Sequence, residues 1–583
     1  MSLKFENLKN KQMPKFKYEK KERLTIAALT SLTVTFVYLL YGPIDIYANN
    51  KEEFAFAFSD LALPVFLIFA ASFVVLSAVL YLFKGKAINV ISSALLSVVL
   101  YMFFDSAFLN KVSFVSGDVV TNGYEKETIS AVLCVMIISI MTFVSMAIGK
   151  KWKGVAVFLA VLILGMNGSG LVSDFATKNL FSDNSINCDY VLSEKNLLEV
   201  SEKENVVYFL FDRFDTDYFD QVVNDSPDYF DSLEGFTYYS GAVSKYSRTF
   251  PGVSYMITGV EFDGKYSPKE YLTKAYEQSD FLKDLKKNGY SINIYSSRYY
   301  TYNDAKSLCG IADNAQKVDG YDVDYKKTLK YFYRMAFSRN SSYLISNLMF
   351  QNANNGVESK LSKITCENGT FIPDDENLYN KITANGLKYS DNDKNYTVIY
   401  MKGCHSPFTL DENCQTSENS NSVKQTKGAF KVIFEYINEM KRLGIYDNST
   451  IIISGDHGIP YSDAISIEEF PEQDFTDKGI TTSILIKPKN ADNAKLKTST
   501  AQASVENIIP FIVKDTGIKT NNDYGISITD IDENENRERI YYQSMYNSYD
   551  YKLVLNKFVI DGDAHSLDNW NSTEQIQTEY SWH

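Results

Sequence analysis

Histidine is scarce in this chain: four occur in 583 residues, at positions 405, 457, 565 and 583. His457 lies in the run Ser454, Gly455, Asp456, His457, Gly458, directly after an apolar stretch that reads as a strand. Carboxylate and imidazole are good ligands for Mn²⁺ or Zn²⁺, and flanking glycines let the backbone approach a ligand closely. A second carboxylate, Asp212, ends the apolar run Val206–Phe211. A lone Asp there also serves as a turn former or helix cap, so its chemistry depends on its neighbours. Thr249, followed by Phe250, Pro251 and an apolar run closed by Gly259, reads as the N-cap of a helix. The same place suits catalysis, because a helix N-terminus presents unpaired N–H groups to anions. A hydroxyl touching a divalent cation there can lose its proton and attack phosphorus or sulfur. His405 follows the run Thr397–Met401, which Pro407 keeps from continuing, and could equally be a surface-loop histidine.

These residues need a scaffold, and the apolar runs supply one. Val206–Phe211, Ile292–Tyr295, Thr397–Met401, Ile451–Ser454 and Thr482–Ile486 are short, apolar and bounded by turn residues. Runs apolar at nearly every position suit central strands covered on both faces. Helical patterns lie between them at Tyr271–Lys287 and Lys427–Leu443, the latter closed by Gly444. Alternating strand and helix predicts an α/β layer fold with a mostly parallel sheet, whose ligands sit beyond the carboxyl ends of the strands. Residues 305–395 interrupt the alternation without a clear strand. Within them Tyr325–Phe350 mixes Lys and Arg with Leu, Tyr, Phe and Met. It reads as an amphipathic helix, lying on a bilayer or packed on its own domain. Arg539–Tyr542 and Leu553–Ile560 read as extra strands at a sheet edge.

The N-terminal third has a different character. Leu24–Ile44, Leu61–Phe83, Ala87–Phe104, Thr128–Gly149 and Gly154–Ser173 are uncharged, each roughly 18–23 residues and long enough to cross a hydrocarbon core. Lys and Arg crowd the arm before the first stretch (Lys15, Lys17, Lys20, Lys21, Arg23). They return in the second loop (Lys84, Lys86) and the fourth (Lys150, Lys151, Lys153), whereas the intervening loops are acidic (Asp45, Glu52, Glu53, Asp60; Asp105, Asp118, Glu125, Glu127). Positive loops stay inside. The expected layout is a cytoplasmic basic arm (1–23), a five-span transmembrane domain (24–173) and a connector (174–204). An extracellular catalytic domain follows (205–583), with its core at about 205–525 and C-terminal strands at 526–583.

The net charge of −14 is divided unevenly, with +5 on residues 1–23 and −19 beyond residue 172. So acidic an outer region argues against nucleic-acid binding, which wants a basic stripe. Of six cysteines, Cys134 lies in the fourth span and five lie outside. Five is odd, so no complete disulfide framework exists; Cys404 and Cys414 are near enough to pair or can stay free.

Taken in chain order, strand–Asp212, Thr249-x-Pro251, strand–His405 and strand–Gly455-Asp456-His457-Gly458 resemble the alkaline phosphatase and sulfatase superfamily. The resemblance is greatest to its membrane-bound branch of lipoteichoic acid synthases and phosphoethanolamine transferases, which share a five-span anchor and an external sulfatase-like domain. The motifs occupy about 205–260, 290–300, 395–410 and 450–490. The resemblance implies one divalent metal ion, Mn²⁺ in the first place with Zn²⁺, Mg²⁺ or Ca²⁺ as alternatives, held by Asp212, Thr249, Asp456 and His457. It makes Thr249 the nucleophile, puts His405 on the substrate phosphate or leaving group, and matches Arg298 to a phosphate-contacting arginine. Two departures bear on mechanism. Asp212 stands where these synthases usually carry Glu. Threonine at 249 cannot mature to the formylglycine of sulfatases, which argues against a conventional sulfatase mechanism. The expected function is therefore transfer of a phospho-alcohol group, of phosphoglycerol or phosphoethanolamine type, from a membrane phospholipid through a phosphothreonine to a cell-surface glycan or lipid. The alternative is a sulfatase-like hydrolase using water as acceptor. An inactive ectodomain binding anionic polymers would need a vestigial site, whereas all four ligand types are present.

Overall fold

Apolar runs of two lengths build two kinds of element, and the chain divides accordingly. The computed structural model describes residues 16–49, 51, 54, 56–104, 124–178, 180, 188–298, 300–339, 361–458, 480–546 and 552–581. It separates into a helical unit, Met1–Asn187 with Tyr321–Ile364, and an α/β unit, Cys188–Gly320 with Thr365–His583. Lys15, Glu52, Glu53, Asp105, Asp118, His583 and positions 340–350 of the expected amphipathic helix lie outside the described residues.

The helical unit contains the five expected apolar helices. The first runs Lys20–Thr35, continues through a π-helical turn at Phe36–Tyr41 and ends in Gly42–Asn49. Phe58–Leu82 and Lys86–Phe104 follow. The apolar stretch Thr128–Thr177 is two helices, Tyr124–Ile148 and Trp152–Thr177, divided by a 3₁₀ turn at Gly149–Lys151. Their most apolar windows have mean hydropathies of 1.7 to 2.6, enough to cross a membrane. The Lys-rich turns meet at one end of this bundle. Tyr18 donates to Asn89 Oδ1 (2.9 Å), and Asn89 Nδ2 donates to the carbonyl of Gly149 (2.9 Å) and of Ser145 (2.9 Å). Such internal satisfaction of polar groups is what a hydrocarbon surrounding demands.

Tyr325–Arg339 is indeed a helix, but it belongs to this unit. Phe332, Met335 and Ala336 are buried with Tyr47, Phe54, Phe56 and Phe58, and Phe337 stacks on Tyr38 at 4.8 Å. An amphipathic pattern announces that a helix needs a partner and leaves the partner open.

The α/β unit begins at Cys188, earlier than the expected 205, because the expected connector contributes two short strands, Tyr190–Leu192 and Glu199–Val200. Its main sheet has seven strands: β1 (Glu204–Phe211), β2 (Thr237–Tyr239), β3 (Ser291–Tyr295), β4 (Lys394–Met401), β5 (Ser449–Gly455), β6 (Ile484–Lys487) and β7 (Lys497–Ser499). The order is β7-β2-β6-β5-β1-β4-β3, and β6 alone runs against the rest. All five predicted strands are present. Side chains alternate between the faces as the pleat requires. Val206, Tyr208 and Leu210 enter one core, under the helix α1 (Thr249–Thr258). Val207, Phe209 and Phe211 enter the other, under α2 (Asp375–Asn385) and α3 (Ser422–Arg442). Ring contacts such as Phe209–Tyr436 (5.2 Å) and Phe211–Phe430 (5.3 Å) lock α3 onto β1.

Three local expectations change, and the open alternative for Cys404 and Cys414 is decided. Tyr271–Lys287 is two helices, Pro268–Gln278 and Asp280–Lys287, because the Ser279 hydroxyl accepts the Leu282 N–H and starts a new turn. The C-terminal strands form a separate antiparallel sheet of Glu538–Tyr546, Lys552–Asp561 and Trp570–Ser581 rather than an edge of the main one. Residues 305–395 do contain short strands among the described residues, including Ala315–Lys317 and Lys388–Tyr389. Cys404 and Cys414 are both buried and both free.

Candidate active site

The parallel strands β1, β4 and β5 end at one edge, and the chain leaving each is tied to its neighbours. Asp212 N–H donates to the Met401 carbonyl (3.1 Å), Asp456 N–H to the Phe211 carbonyl (3.0 Å) and Cys404 N–H to the Asp212 carbonyl (3.1 Å). Asp212 follows β1 and Asp456-His457 follows β5, so register alone brings the two acids together. Ligand atoms of Asp212, Asp456 and His457 all lie within 4.8 Å of one another. Gly455 is required at this approach, since a Cβ there would stand 2.4 Å from the Phe214 carbonyl oxygen.

Thr249 completes the group from the opposite side. Its Oγ1 lies 3.4 Å from Asp212 Oδ1 and 3.4 Å from His457 Nε2. The expected capping role does not hold. Phe250 has non-helical backbone angles (φ −94°, ψ 129°), and the Thr249 hydroxyl is turned to the acid and the imidazole.

The electrostatics are those of a place built for a cation. Asp456 is 1% exposed; its Oδ1 accepts the Arg213 N–H at 2.9 Å, while Oδ2 is buried without a hydrogen-bond partner. Burial, then the Asp212 charge, pushes Asp456 well above the usual carboxylate range. Burial pushes His457 down to about 4, against the pull of Asp212. The imidazole is thus neutral at physiological pH. Its Nδ1 donates to the Gly458 carbonyl (2.6 Å), which leaves the Nε2 lone pair facing Asp212 and Thr249. An orphaned carboxylate oxygen, a second carboxylate, a neutral imidazole and a hydroxyl fit one divalent ion.

His405 stands in the loop after β4, half-buried, with Nδ1 against the Ser406 carbonyl. It is near enough to His457 to oppose protonation there. Arg298 follows β3, two strands from β1; its Nε donates to the Asn303 carbonyl (3.1 Å) and its backbone bridges to Tyr302, within its own loop. His565, the remaining described histidine, donates from Nε2 to the Ser240 carbonyl (2.9 Å) and is not in the cluster.

Sequence reasoning missed Tyr400. This residue of β4 is buried and its phenol faces Asp212 and Thr249; burial, then the Asp212 and Asp456 charges, raises it well above its ordinary value. Its signal was weak, because Tyr396 and Thr397 on the same strand also carry hydroxyls.

No protein-family model matches the chain. A stretch of 70 residues is 40% identical to the lipoteichoic acid synthase of Staphylococcus aureus (strain USA300), covering 11% of this chain and 11% of that protein. The chain thus spans about a tenth of the length of the curated relatives it matches. Among solved structures it is similar to the lipoteichoic acid synthase LtaP from Listeria monocytogenes, at 16% identity over 65% of this chain and 87% of that one, with a TM-score of 0.33. A protein of the alkaline phosphatase superfamily from Vibrio parahaemolyticus gives 13% identity over 67% and 85%, with a TM-score of 0.33. A phosphonate monoester hydrolase from Silicibacter pomeroyi gives 12% over 62% and 87%, with a TM-score of 0.35.

Proposed function

We propose that the chain is a membrane-anchored phosphotransferase that moves a phospho-alcohol group from a phospholipid to a cell-surface glycan or lipid through a phosphothreonine. The observation that carries this reading is the convergence of Thr249 Oγ1 with Asp212, Asp456 and His457 at the carboxyl edge of the sheet. The local identity to lipoteichoic acid synthases supports it. Asp212, Thr249, Asp456 and His457 would hold the divalent ion, Mn²⁺ in the first place. When bound, that ion supplies a Lewis acid that makes the Thr249 hydroxyl more acidic and offsets charge on the phosphate.

The chain's own residues do the rest. Thr249 Oγ1 loses its proton to solvent and attacks the donor's phosphorus. The bond from phosphorus to the lipid's glycerol oxygen breaks, and His405 gives that oxygen its proton, releasing diacylglycerol. An acceptor hydroxyl then attacks the phosphothreonine and gives its proton to His405; the bond from phosphorus to Thr249 Oγ1 breaks, and that oxygen takes back a proton from solvent. Arg298, whose Nε is bonded within its own loop two strands from Asp212, is given no part in these steps.

The five apolar helices anchor this chemistry at the bilayer, with the Lys-rich turns facing the cytoplasm and the α/β unit outside the cell. The test is to incubate the full chain in liposomes with a head-group-labelled phospholipid and Mn²⁺, with and without a hydroxyl-bearing glycolipid. Label on the acceptor supports transfer. Label released to water regardless of acceptor makes the same site a hydrolase.

A further inference from the structure

The loop that carries His405 is held by two buried side chains that belong neither to the proposed metal site nor to the loop itself. Asp375, in the first turn of α2, is 3% exposed. Its Oδ1 accepts the Lys402 N–H at 3.0 Å and its Oδ2 accepts the Gly403 N–H at 2.9 Å. Gln425 of α3 is fully buried. Its Nε2 donates to the Gly403 carbonyl at 2.7 Å, and its Oε1 accepts the N–H groups of Thr409 and Leu410, both at 2.9 Å. One amide thus fastens the start and the end of the loop together. The loop is also continuous with the metal-ligand candidate, through Cys404 N–H on the Asp212 carbonyl.

A strand can end without such apparatus. Burying a carboxylate is expensive unless every lone pair is used, and here burial pushes Asp375 up to about 7 while the two N–H groups hold it down. A loop of nine residues pinned at both ends has little freedom left in between, where His405 lies. We propose that Asp375 and Gln425 are positioning residues that fix the Lys402–Leu410 loop against Asp212, so that His405 is held ready to meet the departing oxygen. This rests on the phosphotransferase reading for the role of His405; the brace itself does not.

The test is a double-mutant cycle on the full chain in liposomes. Misplacing a supporting shell costs on the order of 10–100-fold. Asp375→Asn keeps the shape but turns an amide N–H toward a backbone N–H. It is expected to lower kcat by that factor, with donor KM and Mn²⁺ binding within about threefold of wild type. In a His405→Ala background the same substitution is expected to cost less than about threefold, because the group it positions is gone. Gln425→Leu removes all three bonds and is expected to lower kcat by the same factor, again costing less than about threefold in the His405→Ala background. Losses that simply multiply with His405→Ala overturn the proposal. Amide hydrogen exchange of residues 402–410 judges the brace without turnover. Loss of protection there in Asp375→Asn, with β1 and β5 unchanged, supports it, and unchanged protection overturns it. If the wild-type chain transfers and cleaves nothing, the functional reading falls, and exchange still decides the brace.

Discussion

Gly403→Ala is the substitution whose consequence can be worked out most fully. Gly403 has φ +57°, a left-handed conformation, and an added Cβ would stand 2.8 Å from Phe211 Cβ and 3.0 Å from the Asp212 nitrogen. The strain of a left-handed alanine is about 1–2 kcal/mol. Forcing a methyl into filled space adds about 1–3 kcal/mol. The sum is about 2–5 kcal/mol, and one of the atoms pushed, the Asp212 nitrogen, belongs to the residue whose Oδ1 accepts from Thr249. Gly444→Ala is the control: φ is +72°, but nothing lies within 4 Å of the added Cβ. Only the strain of about 1–2 kcal/mol applies there. Melting of the full chain in detergent, followed by near-ultraviolet circular dichroism, should put Gly403→Ala below Gly444→Ala and both below wild type. Calorimetric titration should show Mn²⁺ affinity reduced about 10-fold or more in Gly403→Ala alone. If the two variants melt together and bind Mn²⁺ like wild type, the tight seam between this loop and Asp212 is wrong.

Thr249→Ala should fold and still bind Mn²⁺ through three protein ligands, since the hydroxyl caps no helix, while turnover falls at least about 10⁴-fold; activity near wild type in metallated protein would refute the nucleophile. Asp456→Asn and His457→Ala should each reduce Mn²⁺ occupancy, measured by elemental analysis, and unchanged occupancy in both would remove the site. Metal binding should release protons, because the upward-shifted Asp456 must ionise to bind; affinity therefore rises with pH, and a Kd constant from pH 5.5 to 8 would contradict this. Maleimide should label Cys309, which is exposed, and spare the buried Cys188, Cys366, Cys404 and Cys414 in the folded chain; peptide mapping of labelled protein checks this, and labelling of Cys404 or Cys414 would show that their burial is wrong.

Much of the site was legible because strands buried on both faces leave an unbroken apolar run, and the residue ending such a run is at the ligand edge. Asp212, Asp456 and His457 could be read that way. Thr249 lies beside Asp212 and His457, but its capping role was a misreading, since Phe250 breaks the helical backbone and frees the hydroxyl. β2 and β7 are three residues each, with Thr, Tyr, Lys and Ser, and carry too little pattern to register. Tyr400, Asp375 and Gln425 were invisible for a common reason. Each acts through a contact between segments distant in sequence, and the type of residue names no partner. The same holds for Tyr325–Arg339, whose apolar face was evident but whose place in the helical unit was not.

The central claim is that Thr249 carries the transferred group. Incubating the full chain in liposomes with phospholipid and Mn²⁺, without an acceptor, and mapping the acid-quenched protein by mass spectrometry tests it directly. The expected result is a peptide containing Thr249 heavier by one phospho-alcohol group, absent from Thr249→Ala and discharged when acceptor is added. Diacylglycerol formed at the same rate with no adduct on Thr249, or an adduct on another residue, would contradict the claim.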